Sequence, residues 1–287
     1  MRNVLVLVTL LAGCPGDPVE CGSTQGFLSG DVTVGAQVFA RPTAGGDTVT
    51  GEVTSDTYEL NLEGDTEWTV WAQLDDCFSR DITVSVDACE EYTEDLVVDI
   101  NECETADKPN LYLYPTSDTP TSVVIEADPR QRIFESMPAY NDGWHGVAHP
   151  DGTFTSDGER APFLFYEITL LPKHRDLMQR DQGYCVAGEG AVQTMADILG
   201  QYGFNGRERR DFVDGWRDDL PIAASYTVYP QLHVDPMATL HIEPALPVHR
   251  LWLRVEDGAQ CQATPPIVVP FDRSDAHGVE WGVVLGM

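Results

Sequence analysis

The chain has 287 residues, and 47 acidic against 17 basic residues give it a formal net charge of −30. This charge excludes nucleic-acid binding that depends on neutralising phosphates. A hydrophobic fraction of 42% is typical of a globular protein, and a chain of this length is expected to form about two domains.

Residues 1–13 are typical of a secretory signal peptide. Arg2 precedes an apolar run from Val4 to Ala12, which is shorter than the ~20 residues that a membrane-spanning helix needs. The sequence Leu-Ala-Gly-Cys that ends at Cys14 resembles the bacterial lipobox, in which cleavage precedes a cysteine that is then diacylated. We therefore expect Cys14 to anchor the protein to a membrane of the bacterial cell envelope, the outer membrane being the expected location. The alternative is a secreted protein in which Cys14 forms a disulfide.

The remaining cysteines fit export to an oxidising compartment. They are Cys21, Cys77, Cys89, Cys103, Cys185 and Cys261. An even number predicts up to three disulfides, with the connectivity left open. The simplest arrangement has two bridges among the first four cysteines and one between the last two. No pair has the C-x-x-C spacing that indicates a zinc or redox site.

An acidic β-sandwich is predicted over residues 26–100, after a lipidated tether over residues 14–25. Short alternating runs separated by Gly, Asp or Asn turns predict strands over 32–40, 48–53, 57–62, 68–74, 81–86 and 95–100. The order of these runs, with TYELNL followed by WTVWA, resembles the carboxypeptidase regulatory-like and transthyretin-like sandwiches of bacterial envelope proteins. The resemblance covers about residues 26 to 100 and implies a spacer or stalk without catalytic residues.

A second domain is predicted over residues 108–287, after a polar linker over residues 101–107. Asp-Gly pairs that begin at Asp151 and Asp157 lie between short β runs, and such pairs are a strong signal for hairpin turns. Strand patterns return after Pro221 and continue to the C-terminus. The strands of this domain are therefore expected to form an antiparallel sheet.

The helical periodicity in the chain is confined to the middle of this domain. An apolar stripe runs from about Glu189 to Tyr202. Asn205 is expected to be the N-cap of a second helix, because Glu208 three residues later completes a capping box. A domain made of strands, a helical hairpin and further strands is predicted to be α+β. Together with the β-sandwich that precedes it, this domain makes the predicted fold of the whole chain mainly β.

Several short motifs occur in order along residues 108–285. They are K-P-x-x-Y-L-Y-P from Lys108, G-W from Gly143, D-G from Asp151, L-F-Y-E from Leu164 and V-E-W-G from Val279. This order resembles an uncharacterised family of bacterial secreted proteins and lipoproteins. The resemblance implies export but no mechanism, and the stretch 172–182 departs from the pattern as an insertion.

Two glutamates are the candidate catalytic residues. Glu167 interrupts an apolar strand, and Glu280 lies in the last strand. If both carboxylates point into one cleft, a separation of about 5 to 9.5 Å would suit glycoside hydrolysis, with Trp144 and Trp281 as sugar-stacking faces. The alternative is that each glutamate lies on a solvated face or pairs with an arginine such as Arg250, and that the aromatic residues form the core.

Three histidines are the candidates for a zinc site, namely His233, His241 and His249. With a two-residue turn centred on Asp235, the first two lie on opposite faces of a hairpin. Surface or hydrogen-bonded histidines are therefore expected, and no metal or cofactor is predicted.

The predicted function is a non-catalytic binding or structural role in a lipid-anchored envelope protein. Signatures of serine hydrolases, P-loops and dinucleotide-binding folds do not occur in the sequence. The expected contacts are the membrane, through the lipid, and an unknown envelope or extracellular partner. The alternative function is a hydrolase of envelope or extracellular glycans that uses Glu167 and Glu280.

Overall fold

The computed structural model describes residues 24–100, 103–259, 261–273 and 275–286. The predicted fold class is confirmed: the described chain is mainly β, with a β-sandwich followed by sheets that carry a helical hairpin. The predicted signal peptide, Cys14 and Cys21 lie outside the described residues.

The N-terminal sandwich consists of two sheets. In chain order its strands are β1 (Gln25–Asp31), β2 (Gln37–Pro42), β3 (Val49–Thr50), β4 (Glu52–Thr54), β5 (Thr57–Glu63), β6 (Thr66–Leu74), β7 (Cys77–Phe78), β8 (Ile82–Val86) and β9 (Glu91–Thr93). One sheet has the order β4-β5-β1-β9, and the other has the order β3-β2-β6-β7, with β8 also paired to β6. Strict alternation builds the core: in β5, Tyr58, Leu60 and Leu62 are buried while the residues between them are exposed.

Three of the predicted strands in this sandwich differ from the structure. The run 48–53 is divided between β3 and β4, which belong to different sheets. The run 32–40 is divided by a turn in which Gly35 has a φ of +86°, so that β2 includes only its second half. The run 95–100 is not a strand, because Leu96 alone forms an isolated bridge there.

The C-terminal region contains two further sheets and three helices within the described residues. The elements are β10 (Thr105–Tyr114), β11 (Thr119–Glu126), β12 (Ile133–Met137), β13 (Trp144–Ala148), β14 (Phe154–Ser156), β15 (Glu159–Ala161), β16 (Leu164–Thr169), α1 (Pro172–Leu177), β17 (Tyr184–Ala187), α2 (Ala191–Gln201), α3 (Gly206–Trp216), β18 (Ser225–Gln231), β19 (Thr239–Glu243), β20 (Val248–Asp257) and β21 (His277–Gly286). A seven-stranded sheet has the order β12-β16-β10-β21-β20-β18-β17, and a five-stranded sheet has the order β15-β14-β13-β11-β19.

These elements form three layers. Helices α2 and α3 pack on one face of the seven-stranded sheet, and the five-stranded sheet packs on its other face. Alternation in β10 sends Tyr112 to the helical side and Leu111 and Leu113 to the other. Helix α3 begins as predicted, with the side chain of Asn205 accepting from the backbone of Glu208 and the Glu208 carboxylate accepting from the backbone of Asn205.

The pairing of the C-terminal strands corrects three expectations. The seven-stranded sheet is mixed, because β20 and β21 are parallel and place Arg250 beside Glu280. Strand β10 begins at Thr105, inside the predicted linker. Strands β18 and β19 belong to different sheets, so the hairpin predicted around Asp235 does not form.

The sandwich and the C-terminal region are in direct contact. Leu171 directly precedes α1 and the inserted stretch 172–182. It is buried against Trp71 and Phe78 of the sandwich. Arg130 lies over the Trp71 ring at 4.8 Å and pairs with Asp81 at 2.6 Å. The contact thus includes ion pairs of both senses, because Arg80 of the sandwich also pairs with Asp176 of α1 at 2.6 Å.

Disulfides link the sandwich to the start of the C-terminal region and cross-link the C-terminal region itself. Cys77 bonds Cys103 at the junction between them, and Cys185 on β17 bonds Cys261; Cys89 is disulfide-bonded as well. Among the described residues, no helix has the length and apolar character needed to cross a membrane.

Candidate functional site

Glu280 lies between the seven-stranded and five-stranded sheets and is fully buried. The Tyr166 hydroxyl donates to its Oε1 at 2.8 Å, and Arg250 Nε and Trp252 Nε1 donate to its Oε2 at 2.6 and 3.1 Å. Arg250 also donates to Asp235 at 2.7 Å. Because both carboxylate oxygens have strong donors, this buried charge is compensated, as a stable core requires.

Glu167 lies on the opposite face of the same sheet. It follows Tyr166 in β16, and successive side chains of a strand point to opposite faces. The sheet therefore separates Glu167 from Glu280. The hypothesis that these two carboxylates act together in glycoside hydrolysis is wrong for this fold, because the pair cannot flank one substrate.

The two candidate stacking residues are core residues. Trp144 is 1% exposed and packs edge-on against Tyr140, with its Nε1 donating to the carbonyl of Pro138 at 2.8 Å. Trp281 is fully buried, and its ring centroid lies 5.1 Å from that of Phe212 in α3. Neither ring offers an open face to solvent, so the expected sugar-stacking platform is absent at these described residues.

A cleft opens where the helical layer ends. The buried residues beneath the helices come from β10, β17, β18, β20 and β21. Beside them, next to β16 and β12, a cavity of about 370 Å³ lies between the sheet and α3. We call this cavity the α3 cleft.

The α3 cleft has an apolar floor and a polar wall and end. Its lining residues are Asn110, Ser136, Met137, Phe163, Phe165 and Trp281 along the floor, Asp211, Asp214 and Gly215 on α3, and Lys108 and Glu135 at one end. Apolar surface combined with a few convergent polar groups is the usual composition of a ligand pocket.

Three carboxylates, which we call the acidic cluster, lie together at this end: Asp107 of β10, Glu135 of β12 and Glu167 of β16. Glu135 and Glu167 are directly opposite each other in neighbouring strands, an arrangement that is destabilising for like charges. Burial, together with the neighbouring carboxylates of Asp107 and Glu135, raises the pKa of Glu167 to about 7, against the opposing charge of Lys108. Burial also raises the pKa of Asp107 to about 6.

Asn110 carries the clearest signal in the α3 cleft. Its side chain is 3% exposed, and within the described part of the chain its Oδ1 has no hydrogen-bond partner. The Asn110 side chain and the buried Nε1 of Trp281, on the neighbouring strand, both interact with the Tyr112 hydroxyl, which leaves Oδ1 as the unpaired atom. Leaving a buried acceptor unpaired costs about 1–3 kcal/mol. A buried oxygen without a partner beside a cavity therefore needs an explanation.

Hydrogen bonds fix the wall of the α3 cleft against its floor. The Tyr112 hydroxyl donates to Asp211 of α3 at 2.9 Å. Lys108 Nζ donates to the carbonyl of Gly215 at 3.0 Å and pairs with Asp219. The cleft is thus held open by contacts that already exist, so a ligand would meet a preformed site.

The histidines do not form a metal site. His233 is exposed after β18. His241 Nε2 shares a hydrogen bond of 2.6 Å with Glu126 Oε2. The ring of His249 stacks on that of Phe271, with 4.5 Å between the ring centroids. Among the described residues, no group of three or more His, Cys, Asp and Glu side chains is arranged to hold a metal ion.

Three residues of the cleft and its acidic end were not predicted as site residues: Asp107, Asn110 and Glu135. A signal for Asn110 does exist, because it shares the face of β10 that carries Tyr112 yet is polar. Nothing comparable marks Glu135, whose role depends on the pairing of β12 with β16.

Comparisons with known proteins leave the function to be argued from the site. No protein-family model matches the chain, and no curated protein matches it. Among solved structures, it is similar to a DUF3823 family protein from Parabacteroides merdae ATCC 43184, at 10% sequence identity and a TM-score of 0.21. The similarity covers 50% of this chain and 96% of that chain.

Proposed function

We propose that this protein is a lipid-anchored component of the bacterial cell envelope whose C-terminal region binds a ligand in the α3 cleft. The observation that carries the binding role is the buried, unpartnered Oδ1 of Asn110 at the cleft floor. The signal sequence and Cys14 support the anchor.

The energetic cost of the site supports binding over a purely structural role. The acidic cluster places like charges on adjacent strands, and the floor leaves a buried acceptor unpaired. A region selected only for stability is expected to avoid both features, whereas functional sites commonly keep them.

The N-terminal sandwich fits the role of a spacer. Its contact with the C-terminal region, through Leu171 and the pair of Arg130 with Asp81, lies away from the residues that line the α3 cleft. The sandwich can therefore separate the lipid at Cys14 from the cleft while the cleft stays open to an envelope or extracellular partner.

A blocked-cleft variant tests the binding role. Gly215 lies in α3 with ordinary helical geometry, and a Cβ built on it meets only Lys108 Cδ, at 3.8 Å. Gly215→Leu should therefore fold and fill the cleft. Ligand-observed NMR with a fragment library should give compounds that bind the mature protein and not this variant.

The matched control is Arg210→Leu, which adds leucine at an exposed position of the same helix outside the cleft. A library in which no compound distinguishes Gly215→Leu from the other two proteins would overturn the proposal.

The anchor is tested separately. In a bacterial host the full chain should label with palmitate and fractionate with membranes, whereas Cys14→Ser should do neither. Unlabelled full chain in the soluble fraction would contradict lipidation at Cys14.

A further inference from the structure

We infer that residues 264–271, which we call the proline strap, are a docking surface for an extended, uncharged polypeptide segment of a partner protein. The strap and the cavity beside it share no lining residue with the α3 cleft. This inference therefore goes beyond the proposed function and does not depend on it.

The proline strap is fixed at both ends. Thr264 accepts a hydrogen bond from the backbone N–H of Gly183 at 3.0 Å, and Cys261, three residues earlier, is held by its disulfide. At the other end, Phe271 donates to the carbonyl of Tyr202 at 3.1 Å. Three prolines restrict the backbone between these ends: Pro265, Pro266 and Pro270. The strap is thus a preformed surface, and a partner loses little affinity in ordering it.

The middle of the proline strap resembles a strand without a neighbour. Val268 packs against the core beneath the helices, whereas Ile267 is 94% exposed and Val269 is 81% exposed. Such alternation is typical of a strand. The backbone N–H and carbonyl groups of these three residues form no hydrogen bond with another described residue. A row of unpaired backbone groups beside exposed β-branched side chains is a template for a further strand.

A cavity of about 520 Å³ lies beside the proline strap. The strap forms one side of it, and Leu232, His249 and the ring of Phe204 contribute to the other sides. Leu232 is 56% exposed, so the apolar surface continues from the strap across the cavity. An extended segment that pairs with the strap can direct alternate side chains into this cavity.

The charge around the proline strap favours an uncharged segment. Residues 258–271 include no charged side chain, although 22% of the chain is charged. No described Asp or Glu lines the cavity, and the guanidinium of Arg250 is paired with the buried Glu280. Burial lowers the pKa of His249, so its imidazole is neutral above pH 7. A charged segment would lose its hydration here without meeting an opposite charge.

The unpaired backbone groups favour a polypeptide over a lipid. An acyl chain can cover Ile267 and Val269, but it has no donors or acceptors for the backbone between them. The strap and the lining of its cavity include fewer residues than the roughly 20–30 on each side of a standard interface between folded proteins. A short segment therefore fits this surface better than a second folded copy of the chain.

A peptide library displayed on phage tests the inference. Nine-residue peptides are selected on the purified protein at pH 7.5, and the enriched peptides are synthesised and titrated by fluorescence polarisation. We expect aliphatic residues at alternate positions. Ile267→Asp combined with Val269→Asp should weaken binding on the order of tenfold or more, and it should fold because both side chains are exposed.

The matched control is Leu177→Asp combined with Ile222→Asp. It adds the same two charges at exposed apolar positions outside the cavity lining, and its affinity for the peptides should equal that of wild type. Gly215→Leu should also bind the peptides as wild type does, so a failure of the α3 cleft as a binding site leaves this inference standing.

N-methylation of the peptide tests pairing through the backbone. Methyl groups on one set of alternate amides should weaken binding on the order of tenfold, because they remove the donors that face the strap. Methyl groups on the other set should have little effect, because those amides face away from it.

Several results would overturn the inference. One is a library from which no enriched peptide distinguishes the Ile267→Asp, Val269→Asp protein from wild type. Another is equal weakening by both methylation patterns, or by neither, which would exclude strand pairing. Binding to phosphatidylcholine vesicles that the same double variant abolishes, without peptide binding, would instead assign the surface to a membrane.

Discussion

Glu280 and Glu167 lie in the same seven-stranded sheet but in opposite chemical surroundings. Glu280 is fully buried and receives hydrogen bonds from Tyr166, Arg250 and Trp252. Glu167 is half-buried on the other face, where its nearest charged neighbours include the carboxylates of the acidic cluster.

The difference separates a structural carboxylate from one whose surroundings led us to propose a binding role. The Glu280 centre is complete, because its negative charge is matched by an arginine and by two neutral donors. The Glu167 side is incomplete, because like charges adjoin it and Asn110 Oδ1 has no partner among the described residues. A completed network stabilises the fold, while an incomplete one is stabilised only when a ligand supplies the missing groups.

The largest expected effect is at the complete centre. Glu280→Ala removes the buried carboxylate that pairs with Arg250 and leaves the partly exposed Asp235 as its remaining acidic partner. We expect a loss of about 3 kcal/mol in the free energy of unfolding. Urea denaturation of the purified protein measures this loss. The double variant Glu280→Leu with Arg250→Met should lose less than the sum of the two single variants. Additive losses would show that the two side chains are not coupled.

A smaller loss is expected from Tyr166→Phe. This change removes one hydrogen bond to a charged carboxylate at 2.8 Å and preserves the ring that packs in the core, so we expect about 2 kcal/mol. The same denaturation measurement applies, and the comparison is Tyr140→Phe, which removes a hydroxyl that bonds only the uncharged backbone of Ile125. A stability equal to that of wild type would mean that Glu280 is satisfied without Tyr166.

Glu167→Gln should act in the opposite direction and depend on pH. Burial raises the pKa of Glu167 from 4.5 to about 7, so the folded state keeps a proton that the unfolded state loses. The stabilisation that Glu167 contributes by holding this proton is fully present below pH 4.5 and is lost as the pH rises through 7. Allowing for solvent screening, we expect the free energy of unfolding of Glu167→Gln to be about 1 kcal/mol higher than that of wild type at pH 8. At pH 4 the two values should be equal.

Stability curves at several pH values check this sign. Glu159→Gln, at an exposed position on β15, should show no such crossover. A Glu167→Gln protein that is less stable than wild type at pH 8 would contradict repulsion within the acidic cluster.

The smallest expected effect is from Asn110→Leu. Replacing a buried residue that has an unpaired acceptor with an apolar residue of similar size should be neutral or stabilise by up to about 1 kcal/mol, while binding in the α3 cleft is lost. Thermal unfolding measures the change in stability, and ligand-observed NMR with the fragment library measures binding in the α3 cleft. A clear loss of stability would mean that Asn110 has a structural role like that of Glu280.

Local patterns predicted most of the elements that build this molecule. Alternation predicted a strand over 57–62, where β5 lies, and the strands of the C-terminal sheet, and the capping box at Asn205 predicted the start of α3. These features depend on neighbours within a few residues, so they can be recognised without the fold. The turn at Gly35 was missed because an alternating pattern continues across it.

The mainly β fold class, the helical hairpin and the chemistry of the individual side chains follow from the amino-acid sequence alone. The fold was needed to show that Glu280 meets Arg250 across a parallel pair of strands, and that Glu167 joins Asp107 and Glu135 beside α3. The charge environment of a carboxylate depends on strand order and on the layer that covers each face of the sheet. Both are set by contacts between residues far apart in the chain, which local periodicity does not encode.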